Sequence, residues 1–131
     1  NLASRLEGAN KEFGTSILLG EATAARVRDQ LVLRPLTALR VKGKQTAVQV
    51  FELVGEPAGV SATQQAFLQV YGEGHALYTA QRFAEAADAL ARAAALAPQD
   101  EFTRHLLADA RALAVTPPPA DWQPILSLKS K

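Results

Sequence analysis

The 131 residues predict a mixed α/β (α+β) unit followed by an all-α helical-repeat unit, and three observations lead there. The first half interleaves apolar, β-branched runs such as LVLRPLTALRV and AVQVFEL with short helical patterns. The second half is dense in alanine, the strongest helix former, over most of its length. Between them Val54–Ala62, VGEPAGVSA, collects glycine, proline and small residues, the composition of a boundary. These readings divide the chain into 1–54, a linker at 55–61, helices over 62–115 and a proline-rich tail at 116–131.

Taken in order, Leu2, Leu6, Ala9 and Phe13 recur at helical spacing, with Gly14 placed for a left-handed C-terminal cap. The first element is therefore an amphipathic helix that is already under way at residue 1. Thr15–Leu19, TSILL, reads as a short strand. GEATAARVRD then reads as a short helix with an acidic residue in its first turn and Ala22, Ala25 and Val27 packed inward. Strands around Leu31–Val41 and Ala47–Leu53 flank KGKQT, whose Gly43 suits a turn, so an antiparallel hairpin is expected. Pro35 has no N–H to give a ladder and marks a bulge or kink in the first of these strands.

Ser61 and Gln64 stand at capping-box spacing ahead of a helix running to about Ala80. A tight turn at Arg82 and Phe83 leads to a second helix that ends before Pro98. A third starts at Asp100 and runs to about Ala114, where TPPPADW stops it. Trp122, beyond three consecutive prolines, is expected to fold back as the packing anchor of the tail. Gly74, Ala86, Leu90, Ala93 and Pro98 fall at the spacing of the tetratricopeptide signature, and the segment resembles one such repeat plus a following helix. The aromatic positions near the start of that signature are not matched well. Small residues at 74, 86 and 93 would let the paired helices approach closely.

Composition excludes several classes. With 48% hydrophobic and 21% charged residues the chain is globular in type, and a net charge of +1 offers no electrostatic attraction to nucleic acid. Cysteine is absent, so disulfides, thiolate metal sites and cysteine nucleophiles are excluded. No apolar run approaches the roughly 20 residues that span a bilayer, and no secretory signal pattern is present. A cytoplasmic placement is expected, any membrane anchor lying outside these residues.

The residues with chemical promise are few. Asn1 and Arg5 stand one helical turn apart on one face, beside the Leu2 and Leu6 stripe, where two polar groups can address one ligand. By spacing alone they read equally as solvent-facing residues of an amphipathic helix, and Lys42 and Lys44 as ordinary bases of a hairpin loop. His75 and His105 lie thirty residues apart with no nucleophile or acid arranged as a triad, and read as structural. Glu7, Glu12, Glu21, Asp29 and Glu52 form no metal-ligand pattern.

NLASRLEGANKEFGTSILLGEAT, followed at a distance by LRVKGKQTAVQVFEL, closely resembles the C-terminal part of the catalytic domain of class III adenylate/guanylate cyclases. The resemblance covers about residues 1–54 and rests on NLASRLE and VKGK, in the family's order and separation. It implies an incomplete ferredoxin-like cyclase domain whose N-terminal part is missing here, acting on ATP or GTP. Asn1 would orient the ribose, Arg5 would stabilise the transition-state phosphate, and Lys42 would contact the triphosphate. The family works as a dimer with a shared site and uses two divalent ions, Mg2+ or Mn2+, held by aspartates that these residues do not contain. Such a piece would be inactive alone. Two readings stand: part of a working cyclase with a helical appendage that regulates or docks a protein partner, or a helical interaction module attached to a degenerate cyclase-like segment. Retention of all three chemical types at Asn1, Arg5 and Lys42 favours the first.

Overall fold

The computed structural model describes residues 17–41, 48–122 and 125–128. The chain divides into two units, one built from Asn1–Val60 with Pro124–Lys131 and one from Ser61–Gln123. The first is mixed α/β and the second is helical.

In the first unit β1 (Leu18–Gly20) leads into helix α1 (Glu21–Val27), and β2 (Val32–Val41) and β3 (Val48–Gly55) follow. A strand from the far end of the chain, β4 (Ile125–Leu128), completes a four-stranded sheet in the order β1-β3-β2-β4. β1 and β2 both run antiparallel to β3, so the expected hairpin forms, while β4 lies parallel to β2. The pairing steps from Pro35 opposite Phe51 to Ala38 opposite Gln49, three residues against two. That is a bulge beginning at the proline, where the missing N–H breaks the ladder. The N-terminal helix expected over residues 1–13, with Asn1 and Arg5, and the turn with Lys42 and Gly43 lie outside the described residues.

Helix α1 departs from its expected orientation. Ala24 is fully buried and Val27 half-buried, whereas Ala22 and Ala25 are exposed. Three alanines in two turns leave the inward stripe undetermined by hydropathy, and packing against β1 and β3 selects the face holding Ala24. The tail also differs from a simple appendage, because its residues 125–128 rejoin the sheet as β4.

The helical unit contains α2 (Ala62–Thr79), α3 (Phe83–Leu96) and α4 (Glu101–Val115), with α2 packed on α3 and α3 on α4. Ser61 caps α2 with the full reciprocal box: its Oγ accepts from the Gln64 N–H at 3.1 Å, and its own N–H donates to Gln64 Oε1 at 2.9 Å. Two return bonds close the other end, Arg82 N–H to the Leu77 carbonyl and Gln81 N–H to the Tyr78 carbonyl. This is the Schellman arrangement, and Gln81 takes the left-handed conformation it demands, with φ 66°. Asp100 caps α4 by accepting from the Thr103 N–H at 3.0 Å.

Phe67, Tyr71, Gly74 and Tyr78 form the buried stripe of α2, and Phe83, Ala86, Ala89, Leu90 and Ala93 that of α3. A Cβ at Gly74 would stand 2.8 Å from both Cγ and Cδ2 of Leu90, so the absence of a side chain there sets how closely the helices approach. Ordinarily Gly→Ala inside a helix gains about 1 kcal/mol of propensity. Here overpacking at about 1–3 kcal/mol outweighs it. Gly74→Ala should therefore lower the melting temperature of the helical unit, and adding Leu90→Val should recover part of the loss. A stabilised Gly74→Ala variant would show that the helices have room to spare.

Trp122 packs edge-on against Tyr78 and Phe83, with ring centroids 5.4 and 5.3 Å away, and anchors the tail on the helices as expected. Burial, reinforced by the negative charge of Asp109 and a hydrogen bond donated to it, pushes the Tyr78 phenol from 10.0 up to about 12. Because folding favours the neutral phenol, its contribution is intact below pH 10 and is lost as pH rises toward 12. Between those limits the wild-type helices should lose stability through this group. Alkaline melting of Tyr78→Phe should lack that part of the slope.

Candidate functional site

On one face of the sheet, among the described residues, an ion pair stands beside buried apolar side chains. Leu18, Val50 and Leu36 are buried, and the register brings Leu18 and Arg34 opposite Glu52 on neighbouring strands, hence onto the same face. Arg34 is only 1% exposed, and its Nε lies 2.9 Å from Glu52 Oε1. The guanidinium gives up water for a carboxylate that retains partial contact with solvent, which makes the pair asymmetric. On the same strand, Phe51 carries the Arg28 guanidinium over its ring at 5.9 Å.

This pair ties β2 to β3. Lys42 follows Val41, the last residue of β2, and is itself outside the described residues, as are Asn1 and Arg5. What the described residues settle is therefore the scaffold: an antiparallel hairpin, bulged at Pro35 and pinned by Arg34 and Glu52, that leads directly into the VKGK segment. Sequence reading did not single out Arg34. Its signal was positional, an arginine two residues from Leu36 and so on the same side of a strand, in an otherwise apolar run.

Several of the described acids have partners. Glu52 is held by Arg34, Glu85 lies 2.7 Å from Arg82, and Asp109 lies 3.6 Å from His105 while accepting from Tyr78. Among the described residues no group of three or more His, Asp or Glu is placed to hold a metal ion. His75 lies against Tyr71 with ring centroids 5.8 Å apart, and His105 lies 6.4 Å from Phe102. Among the described residues no helix is long and apolar enough to cross a membrane.

Two proteins of known name are similar to the chain. Adenylate cyclase 1 of Rhizobium meliloti (strain 1021) is 44% identical over 64 residues, which is 49% of this chain and 10% of that protein. The terminal-differentiation specific adenylate cyclase of Dictyostelium discoideum is 31% identical over 107 residues, 79% of this chain and 5% of that protein. The chain thus spans about a tenth or less of the length of these relatives. A match over 79% of the residues must cross the boundary at Val60, so the second similarity includes parts of both units. No protein-family model matches the chain, and no solved structure matches it significantly. Over the matched lengths the chain is related to proteins named adenylate cyclase.

Proposed function

We propose that the chain is part of a class III nucleotide cyclase, a lyase that converts ATP or GTP to the 3′,5′-cyclic monophosphate and pyrophosphate. The observation that carries this reading is the similarity to two adenylate cyclases, one of them extending across both units. In the reaction the ribose 3′ oxygen forms a bond to the α-phosphorus, the bond from that phosphorus to the β-phosphate bridge breaks, and the hydroxyl proton leaves to solvent or a base. Negative charge grows on the departing pyrophosphate and the non-bridging oxygens.

The chain's own contribution is three side chains. Asn1 hydrogen-bonds the ribose and orients the hydroxyl without adding charge, Arg5 supplies a permanently charged fork of donors to the phosphate, and Lys42 holds the β- and γ-phosphates. Mg2+ or Mn2+ would neutralise triphosphate charge, but among the described residues no group of acids fits such a site. The active form is a homodimer with the site shared between subunits. The helical unit is a tetratricopeptide-like appendage that docks a protein partner or the cyclase dimer itself. It supports that reading that Gly74 and Leu90 meet where the repeat signature calls for small and large residues.

Lys42→Ala in the full-length enzyme is the direct test. A phosphate contact exists in the ground state as well as the transition state, so KM for the triphosphate should rise at least as much as kcat falls. Loss of one such charge-assisted contact typically weakens binding by roughly 10- to 100-fold. An unchanged KM would remove Lys42 from the phosphate site. Full-length protein without cyclase activity on ATP or GTP would favour the degenerate-segment reading instead.

A further inference from the structure

Trp122 occupies a place that the helices build without it. Tyr78 stands in the last turn of α2 and Phe83 opens α3, and the Schellman turn at Gln81 fixes the corner between them. The two rings meet edge to face, with centroids 5.7 Å apart and planes at 79°. Tyr78 also donates a hydrogen bond to Asp109 of α4, so its ring is held from a third element. The seat is thus set by the turn, the ring pair and this hydrogen bond, none of which involves the tail. The tail is held differently. Its three prolines at 117–119 have no N–H to give, and among the described residues the hydrogen bonds of 116–122 stay local. The Thr116 N–H donates to the Ala112 carbonyl at the end of α4, and the Trp122 N–H donates to the Pro119 carbonyl at 3.0 Å. The second bond closes a turn that presents the indole, itself half-buried, to two rings that are each only 6% exposed.

We propose that the corner of α2 and α3 is a docking site for an aromatic side chain presented on a proline-led turn, with Trp122 as its detachable resident. A peptide of the same chemistry from another protein takes the seat when the tail lifts. The inference rests on the docking role proposed for the helical unit and names its place and ligand class. A segment tied by its own turn and one side chain opens at lower cost than helices closed by runs of backbone bonds. A separate partner is favoured over the tail of a second copy by counting. Exchanging tails between two copies remakes the same contacts and adds only the entropic cost of association, whereas a partner adds contacts beside the ring.

The probe is a fluorescently labelled peptide of the tail's own sequence, TPPPADW, titrated into the full-length protein and followed by anisotropy. Trp122→Ala empties the seat and should bind the peptide with Kd on the order of 10 µM to 1 mM. Wild type should bind it at least roughly tenfold more weakly, because the tethered indole competes at millimolar effective concentration. Adding Phe83→Leu to Trp122→Ala should weaken binding roughly three- to tenfold through loss of one edge-to-face pair. A control peptide with alanine in place of the tryptophan should not bind. In wild type the Trp122 amide should exchange with solvent at least roughly tenfold faster than those of buried Ala89 and Leu90 in α3. A common exchange rate for all three overturns the proposal. So does loss of amide protection in α2 and α3 on Trp122→Ala, since the indole is then part of the core. Equal affinity of wild type and Trp122→Ala, or equal binding of the two peptides, puts the peptide elsewhere and overturns it too. Mixed isotope-labelled copies that show Trp122 of one against Tyr78 of the other would give the seat to a second copy and overturn the assignment to a separate partner. These arms read the corner alone. The docking role itself is tested by replacing residues 61–123 with a flexible linker, and it fails if turnover and dimerisation are unchanged.

Discussion

Arg5→Ala in the full-length enzyme is expected to lower kcat by about 100- to 1000-fold with a much smaller change in KM, the loss typical of one preorganised donor to a developing oxyanion. The reasoning is differential. Charge on the phosphate and the departing pyrophosphate is greatest at the transition state, so a guanidinium matched to that charge contributes little to holding the unreacted triphosphate. Lysine in its place keeps the charge but loses the planar fork, so Arg5→Lys should recover only part of the rate. The proposed shared site adds a sharper expectation. An Arg5→Ala subunit paired with a subunit disabled in metal binding should regain activity, because one of the two composite sites in the mixed dimer is intact. Near wild-type kcat in Arg5→Ala would end the catalytic assignment. Absence of complementation in demonstrated mixed dimers would leave the arginine in place but refute the shared geometry.

The second large effect belongs to the sheet. Glu52→Ala removes the carboxylate 2.9 Å from a guanidinium that is 1% exposed, and breaking a buried ion pair from one side costs up to about 3–5 kcal/mol. That is a large fraction of what a unit of this size has to spare. Arg34→Met should be milder, because Glu52 is 20% exposed and can recover water when its partner goes. The double change Arg34→Met with Glu52→Leu should lie closer to wild type than Glu52→Ala alone, since nothing charged is then left buried. Denaturant-dependent amide exchange across β2 and β3 in the full-length protein resolves the order of the three. Equal losses for Glu52→Ala and Arg34→Met would show that solvent reaches the guanidinium after all.

How much of this could be read from the residues depends on how local the cause was. The capping box at Ser61, the stop before Pro98, the bulge at Pro35 and the hairpin of β2 and β3 are all decided within a few residues, and each was legible. The face of α1 was not, because Ala22, Ala24 and Ala25 are chemically identical and only the sheet beneath chooses among them. Arg34 and Glu52 lie eighteen residues apart and become partners only through the register of the hairpin. β4 was hidden for the same reason carried further: ILSL has a strand's composition, but its partner lies before the whole helical unit. The proposed site residues Asn1, Arg5 and Lys42 rest on resemblance alone, because they are ordinary polar residues until a family pattern distinguishes them, and they lie outside the described residues.

The return of β4 to the sheet has a consequence for the order in which this chain acquires its structure. Pairing β4 with β2 closes a loop that contains everything from β3 to Ile125, and closing a disordered loop costs chain entropy before any ladder bond repays it. The helices α2, α3 and α4 make mostly near-neighbour contacts in sequence and form early by comparison. Once they are folded, most residues between β3 and Ile125 are already ordered, so part of that entropy has already been lost. The strand furthest along the chain is therefore expected to join the sheet last, after the helices that precede it in sequence have ordered.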